Sequence, residues 1–196
     1  MSVTRIAIFA SGSGTNSQKI IDYFRNNSSV SVGLIACNNI HAGVLTIATK
    51  EKISFIVIER EKFFNGSDYT VTLKQKQIHF IILAGFLWKL PLDLVKTYSG
   101  KIINIHPALL PKFGGKGMFG MHVHEAVIHA KEKESGISVH YVDEQYDHGK
   151  IIFQAKCLVD ENETPESLAN KIHMLEYRNY AKLIGLVLNL QNIVKT

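Results

Sequence analysis

Two short polar segments carry side chains whose types and spacing suit chemistry on a small anionic molecule. The first is Ser-Gly-Ser-Gly-Thr-Asn at residues 11–16, which follows a run of apolar residues and precedes a helical pattern. Glycines let a ligand approach the backbone, and the free N–H groups of a helix N-terminus bind anions. The segment lacks the Gly-Lys-Ser/Thr of a P-loop, and Ser17 stands where a dinucleotide site has its third glycine. It therefore predicts a site for a single phosphate, with a tight turn that needs glycine only for its geometry as the alternative.

The second segment is Asn-Ile-His-Pro-Ala-Leu-Leu-Pro at residues 104–111, at the end of an apolar run. Side chains two apart on a strand point to the same side, so Asn104 and His106 would face one ligand. An amide N–H can donate to a developing oxyanion, and an imidazole can donate a hydrogen bond or move a proton near neutral pH. The pair predicts a reaction site, and a purely structural pair at a strand end is the alternative.

An alternation of strands and helices would bring these segments together. Five short runs rich in branched apolar residues suit strands that are buried on both faces of a parallel sheet. These runs are residues 5–10, 32–37, 55–58, 80–84 and 102–105. Four stretches between them have helical spacing, at residues 16–25, 42–52, 69–76 and 91–98. The pattern predicts an α/β fold with a doubly wound, mostly parallel sheet, whose ligands bind beyond the carboxyl ends of the strands.

The regular alternation of strands and helices ends after residue 105. A glycine-rich segment at residues 114–121 leads into a predicted helix at 122–131. Two strand-like runs, 136–142 and 150–158, flank a turn-prone stretch and predict an antiparallel pair at the edge of the sheet. Thr164-Pro165-Glu166 is a typical helix start, and it predicts a last helix that runs to about residue 190.

Length and composition predict one domain over residues 1–196, because 196 residues that are 46% hydrophobic suit a single core. Cys37 and Cys157 are isolated, as expected in the cytoplasm, and no signal sequence or apolar span suggests export or a membrane. The net charge of +5 is scattered, so we expect small-molecule substrates rather than nucleic acid. A monomer or a homodimer is expected.

The pattern Asn-Ile-His-Pro-x-Leu-Leu-Pro resembles the signature of folate-dependent formyltransferases. The Ser-Gly-Ser-Gly-Thr-Asn loop is similar to that of the branch acting on glycinamide ribonucleotide. The likeness extends from residue 5 to about residue 185. It also includes residues 83–86 and 136–142, Asp147-His148-Gly149 with Ile152 and Gln154, and His173-x-x-Glu176.

The resemblance implies a Rossmann-like fold and the third step of purine synthesis. The amine of glycinamide ribonucleotide would attack the formyl carbon of 10-formyltetrahydrofolate, the co-substrate, without a metal. The implied catalytic residues are Asn104, His106 and Asp147. Asn104 and His106 would stabilise the oxyanion, while Asp147 would favour the imidazolium and, with a water, help to move the proton.

The resemblance also implies two sets of binding residues. Gly14, Thr15 and Asn16 would hold the phosphate, and Glu176 would hold the ribose hydroxyls. The folate would contact Leu87, Trp88, Lys89, Leu90, Asn104, Val142 and Asp147. Trp88 and Lys89 replace a basic and an aliphatic residue of many relatives, so Lys89 could supply the basic charge. The segment at 114–121 is longer than in many relatives, and no contacts are carried over to it.

Other functions remain as alternatives. His122, His124 and His129 could suggest a metal, but the five-residue step from His124 to His129 does not match the four-residue spacing of zincins, so most of them should be surface or interface residues. A non-enzymatic nucleotide-binding regulatory domain would not need a proton-transfer group beside an oxyanion donor. Formyltransferases of nucleotide sugars share the Asn-x-His pattern but normally lack the phosphate loop. The length is short for a methionyl-tRNA formyltransferase or a formyltetrahydrofolate hydrolase.

Overall fold

Seven strands form one sheet in the structure, a computed structural model that describes residues 3–193. They are β1 Thr4–Ala10, β2 Val30–Cys37, β3 Phe55–Val57, β4 Phe80–Leu83, β5 Ile102–His106, β6 Glu134–Tyr141 and β7 Ile151–Leu158. Their order is β3-β2-β1-β4-β5-β6-β7. The first five strands pair in parallel, whereas β6 runs antiparallel to both β5 and β7. The predicted doubly wound sheet with an antiparallel edge is confirmed.

Helices connect the strands and cover both faces of the sheet. They are α1 Thr15–Phe24, α2 Gly43–Lys50, α3 Arg60–Asn65, α4 Asp68–Gln75, α5 Leu92–Thr97, α6 Met121–His129 and α7 Pro165–Ile193. Six of these lie within a few residues of the predicted stretches, and α3 was not predicted. Over residues 3–193, no helix combines the length and apolar character needed to cross a membrane. Residues 1, 2 and 194–196 of the expected unit 1–196 lie outside the described residues.

The core lies on both sides of the sheet, as the apolar runs predict. In β1, Ile6 and Ile8 face one cluster with α1 and α7, while Ala7 and Phe9 face a second cluster with α3, α4 and α5. All four side chains are fully buried. A central strand that is apolar on both faces leaves its carboxyl end as the place where polar residues can gather.

Helix α3 depends on tertiary contacts rather than on local sequence signals. It has only six residues and no side-chain cap. Phe63 is buried and packs edge-on against Tyr69 and Phe86, with Trp88 tilted beside it. A helix this short is marginal alone, so these aromatic contacts stabilise it.

Candidate functional site

A cavity of about 550 Å³ opens beyond the carboxyl ends of β1, β4 and β5. β1 pairs with β2 on one side and with β4 on the other, so the chain reverses its winding direction between β1 and β4. Doubly wound sheets bind ligands at such a switch point. The cavity is lined by every residue that the sequence led us to expect in the site. They are Gly14, Thr15, Asn16, Leu87, Trp88, Lys89, Leu90, Asn104, His106, Val142, Asp147 and Glu176. The structure brings these residues together, and their roles stay predictions.

Asn104, His106 and Asp147 converge at one point of the cavity wall. Asn104 and His106 are two apart on β5, and Asp147 belongs to the loop between β6 and β7. Asp147 Oδ2 lies 3.5 Å from His106 Nδ1, and Asp147 Oδ1 lies 3.4 Å from Asn104 Nδ2. A carboxylate, an imidazole and an amide can therefore act on the same reacting group.

The His106 imidazole is buried and has a defined donor. Its Nε2 lies 2.7 Å from the carbonyl oxygen of Phe113. Because a carbonyl can only accept, Nε2 carries the proton and Nδ1 faces Asp147. Burial lowers the pKa of His106, and the charge of Asp147 raises it by less. The charge of Asp147 thus favours the imidazolium, but burial outweighs it and the pKa is lowered overall.

Asp147 stays ionised although it is largely enclosed. Burial acts to raise its pKa, but the hydrogen bonds and charges around the carboxylate, among them the N–H of Gly115, lower it by more. The Gly115 N–H donates to Oδ2 over 3.0 Å. Backbone groups of residues 113–115 therefore contact both His106 and Asp147.

His140 belongs to this group and was not predicted from the sequence. It pairs with Asn104 across β5 and β6, and it is 1% exposed. Its Nε2 lies 3.1 Å from Asn104 Nδ2, and its Nδ1 lies 2.8 Å from the carbonyl oxygen of Tyr141. Residue 140 is part of the stretch 136–142 that resembles the family, but only the register of an antiparallel pair places it opposite Asn104.

The phosphate loop follows β1 and opens α1. Gly14 is the N-cap with a φ of 82°, and no side chain caps the helix. A Cβ atom at Gly14 would lie 2.8 Å from the Cα of Val44, so glycine is needed both for its backbone angle and for space. The N–H groups of the first turn are thus available to an anion.

Glu176 reaches the phosphate loop from α7. Its Oε2 accepts from Asn16 Nδ2 over 2.9 Å and lies 3.1 Å from His173 Nδ1. One turn further along α7, the buried Tyr180 hydroxyl donates to Leu83 and also lies 3.2 Å from the carbonyl oxygen of Ile103. Since residues four apart share a helix face, Tyr180 fixes the face that presents Glu176.

His173 is the second polar residue of this turn of α7. The hydrogen bond to Glu176 raises the pKa of His173, and burial opposes that rise. The ring stacks on Tyr177, with centroids 6.0 Å apart. An imidazole whose pKa is raised therefore lies beside the loop expected to bind a phosphate.

The histidines of α6 differ in their exposure. His122 and His129 are exposed, as predicted for most of them, but His124 is only 3% exposed and lines the cavity. Burial lowers the pKa of His124, and the neighbouring His173 lowers it further. Helix α6 packs on α7, and this contact encloses the one histidine on its inner face. Across the described part of the chain, no group of three or more His, Cys, Asp and Glu side chains could hold a metal.

The opposite end of the cavity is aromatic. Trp88 packs against Phe63, Phe64 and Phe86, and the Arg60 guanidinium lies 5.4 Å from the Trp88 ring. Trp88 therefore joins α3 to the cavity wall.

The other residues of this strand-to-helix segment differ in exposure. Lys89 lies at the cavity with its Nζ 5.4 Å from the ring of Tyr146. Leu90 is buried, whereas Leu87 is half-exposed and donates its N–H to Ser11. Lys89 thus lies at this end of the cavity, and its role as the basic group of the folate site stays a prediction.

Comparisons with known proteins agree with this geometry. The model of the formyl transferase family matches residues 4–184. The chain is 35% identical over 189 residues to the chloroplastic phosphoribosylglycinamide formyltransferase of Arabidopsis thaliana, covering 93% of this chain and 65% of that protein. It is also 35% identical over 193 residues to the phosphoribosylglycinamide formyltransferase of Bacillus subtilis, covering 96% of both.

A solved structure gives the same result. The crystal structure of phosphoribosylglycinamide formyltransferase from Bacillus halodurans matches with a TM-score of 0.85 and 35% identity, over 94% of this chain and 95% of that one. The chain spans less than two thirds of some curated relatives, including the Arabidopsis protein.

Proposed function

Because this chain belongs to the formyl transferase family, we propose that it transfers the formyl group of 10-formyltetrahydrofolate to the amine of glycinamide ribonucleotide, a step of purine synthesis. One observation carries the proposal. A single cavity joins a phosphate-type loop at residues 12–16 to the convergent Asn104, His106 and Asp147. The names of the Bacillus subtilis protein and of the Bacillus halodurans structure support this substrate.

The nucleotide would lie along α1 and α7. Its phosphate would bind the N–H groups at Gly14, Thr15 and Asn16, and its ribose hydroxyls would bind Glu176. This orientation leads the amine towards β5, where Asn104 and His106 lie. The Asn16–Glu176 hydrogen bond supports it, because the two expected ligand contacts are already held side by side.

The folate would fill the other end of the cavity. Its pterin would lie between residues 87–90 and 142–147, with the formyl group towards Asn104. Lys89 and the ring of Tyr146 flank this end.

The reaction would proceed by direct attack. The amine forms a bond to the formyl carbon, and the carbonyl electrons move onto oxygen to give a tetrahedral oxyanion. An Asn104 N–H and the His106 imidazole stabilise it, since preorganised donors act on charge as it develops. The carbon–nitrogen bond to the folate then breaks, and the amine's proton passes to that nitrogen through a water held by Asp147.

A direct assay tests the proposal. Purified protein is mixed with 10-formyltetrahydrofolate and glycinamide ribonucleotide, and the deformylated folate is followed by absorbance. We expect turnover that depends on both substrates. A parallel reaction with amino sugars linked to nucleotides tests the rival substrate class, and absence of turnover at saturating substrate would favour a regulatory domain. Location in the cytoplasm and assembly as a monomer or homodimer stay predictions from the sequence.

A further inference from the structure

We propose that His140 is a positioning residue that holds the Asn104 amide with its N–H groups directed to the reaction centre. The inference rests on the proposed function, because it concerns the donor expected to stabilise the oxyanion. His140 is not among the residues to which the family resemblance gives a role. Three observations support it: the register of β5 and β6, the tautomer of His140, and the position of the Asp147 carboxylate.

Strand register places the two side chains face to face. In the antiparallel ladder of β5 and β6, Asn104 is directly opposite His140. Directly opposite residues of such a pair project to the same face of the sheet. His140 is 1% exposed, so its bonding is set by the protein rather than by solvent.

Backbone bonding selects one tautomer of His140. Nδ1 lies 2.8 Å from the carbonyl oxygen of Tyr141, which can only accept, so Nδ1 carries a proton. In the neutral ring Nε2 is then an acceptor. It lies 3.1 Å from Asn104 Nδ2 and 3.5 Å from Asp147 Oδ1, so the closer partner is the amide, which donates to it.

This acceptor discriminates between the two ends of the Asn104 amide. If the amide turned over, its oxygen would face the lone pair of His140 Nε2 and the carboxylate of Asp147. Both contacts would be repulsive, and a buried acceptor left without a donor costs about 1–3 kcal/mol. His140 and Asp147 therefore keep Nδ2, rather than Oδ1, on the reactive side.

One amide proton remains for the substrate. His140 binds the first, and the second points towards Asp147 over a long 3.4 Å contact. A nearby oxyanion would accept this proton more strongly than the Asp147 carboxylate does over that distance. The bond to His140 thus fixes the direction of the proton that the reaction uses.

A double-mutant cycle tests this role. We compare wild type, Asn104→Ala, His140→Leu and the double variant by kcat and by KM for both substrates. His140→Leu removes the acceptor and should lower kcat by roughly 10- to 100-fold, somewhat less than the ~10²–10³ of a lost oxyanion donor, with little change in KM. In the Asn104→Ala background it should lower kcat less than 3-fold. His140→Gln, whose amide oxygen can accept, should recover part of kcat.

Each outcome has a distinct meaning. Multiplicative losses in the double variant would show that His140 acts independently of Asn104 and would overturn the inference. Inactive wild-type protein would instead refute the proposed function. ¹⁵N NMR of the unsubstituted protein decides the tautomer without any variant. We expect the His140 ring to carry its proton at Nδ1, with Nε2 as the acceptor, and a proton at Nε2 would overturn the inference.

Discussion

At the scale of single residues, His106 and Asp147 are placed so that loss of either side chain should affect the reaction more than the fold. The Nε2–H of His106 donates to the carbonyl oxygen of Phe113, and Asp147 lies 3.5 Å from its other nitrogen. We predict that His106→Ala lowers kcat by about 10²–10³, as for the loss of one preorganised donor. Asp147→Ala should have an effect of similar size.

A neighbouring histidine provides the control for both variants. His148 is exposed, and its side chain pairs with Asp143 rather than with Asn104, His106 or Asp147, so His148→Ala should leave kcat within 2- to 3-fold. Steady-state kinetics with both substrates, together with the unfolding temperature of each variant, gives the comparison. A near-normal kcat in His106→Ala or Asp147→Ala would remove that residue from the mechanism.

The buried His124 should make stability depend on pH. Its pKa in the folded protein is lowered by burial, so the unfolded chain binds a proton that the folded chain does not. The stability is therefore present above the unfolded pKa, near 6.5, and is lost as the pH falls below it. We predict that the unfolding temperature of wild type falls as the pH is lowered from about 7.5 to 5.5. The unfolding temperature of His124→Gln should fall less over the same interval.

Other histidines supply the control for this measurement and contribute to the same pH dependence. His129 lies on the same helix but is exposed, so His129→Gln should keep the wild-type slope. The pKa of His106 is lowered too and contributes in the same direction, whereas that of His173 is raised and contributes in the opposite direction. A wild-type slope in His124→Gln would assign the pH dependence to other groups.

At the scale of elements, periodicity predicted most of what the structure contains. Short apolar runs predicted the buried strands β1, β2, β4 and β5. A strand that is covered on both faces is apolar at nearly every position, so its sequence is easy to recognise. Helix α3 could not be predicted this way. The contact between Phe63 and Trp88, which are 25 positions apart, stabilises its six residues. A local sequence pattern cannot show a contact between residues so far apart.

The loop from β6 to β7 shows how an element positions a catalytic group. Gly149 follows Asp147 by two residues, and a Cβ atom on it would lie only 1.9 Å from the carbonyl oxygen of Tyr141. We predict that Gly149→Ala displaces this loop, costs about 1–3 kcal/mol of stability, and lowers kcat through the misplaced Asp147. Thermal unfolding and kinetics on the same preparation measure both effects.

Gly12 offers a matched control for stability, because nothing lies within 4 Å of a Cβ atom built there. Gly12→Ala should therefore unfold near the wild-type temperature. If Gly149→Ala keeps wild-type kcat, then the close approach to Tyr141 is not what places the carboxylate.

At the scale of the whole molecule, one fold brings distant sequence segments into a single cavity. The residues at 14–16, 104–106, 147 and 176 were identified from motifs and resemblance, and the structure places them together. The positions of His140 and His124 in the cavity wall were not predicted, because they depend on strand register and on the packing of α6 against α7. Such pairings between remote elements leave no periodic signal in the chain.

The two ends of this cavity should be separable by binding. The loop at residues 12–16 and Glu176 form one end, while Trp88 and Lys89 form the other. A ligand present at about 100 times its Kd stabilises a protein by about 2.7 kcal/mol, which for this size raises the unfolding temperature by roughly 5–10 °C. We predict that glycinamide ribonucleotide and a non-reactive folate analogue each produce such a rise in wild type.

Two variants should divide these effects between the ends. Asn16→Ala removes the amide that donates to Glu176 and should reduce the rise with the nucleotide while leaving the rise with the folate analogue. Trp88→Ala opens the aromatic wall beside Phe63 and Phe64 and should do the reverse. Each ligand is compared with the same variant free of ligand, so a general loss of stability cancels. If Asn16→Ala responds to the nucleotide as wild type does, neither the Asn16 side chain nor its hydrogen bond to Glu176 contributes to nucleotide binding, because a side chain that contacts the ligand or its partner would change the binding free energy when removed.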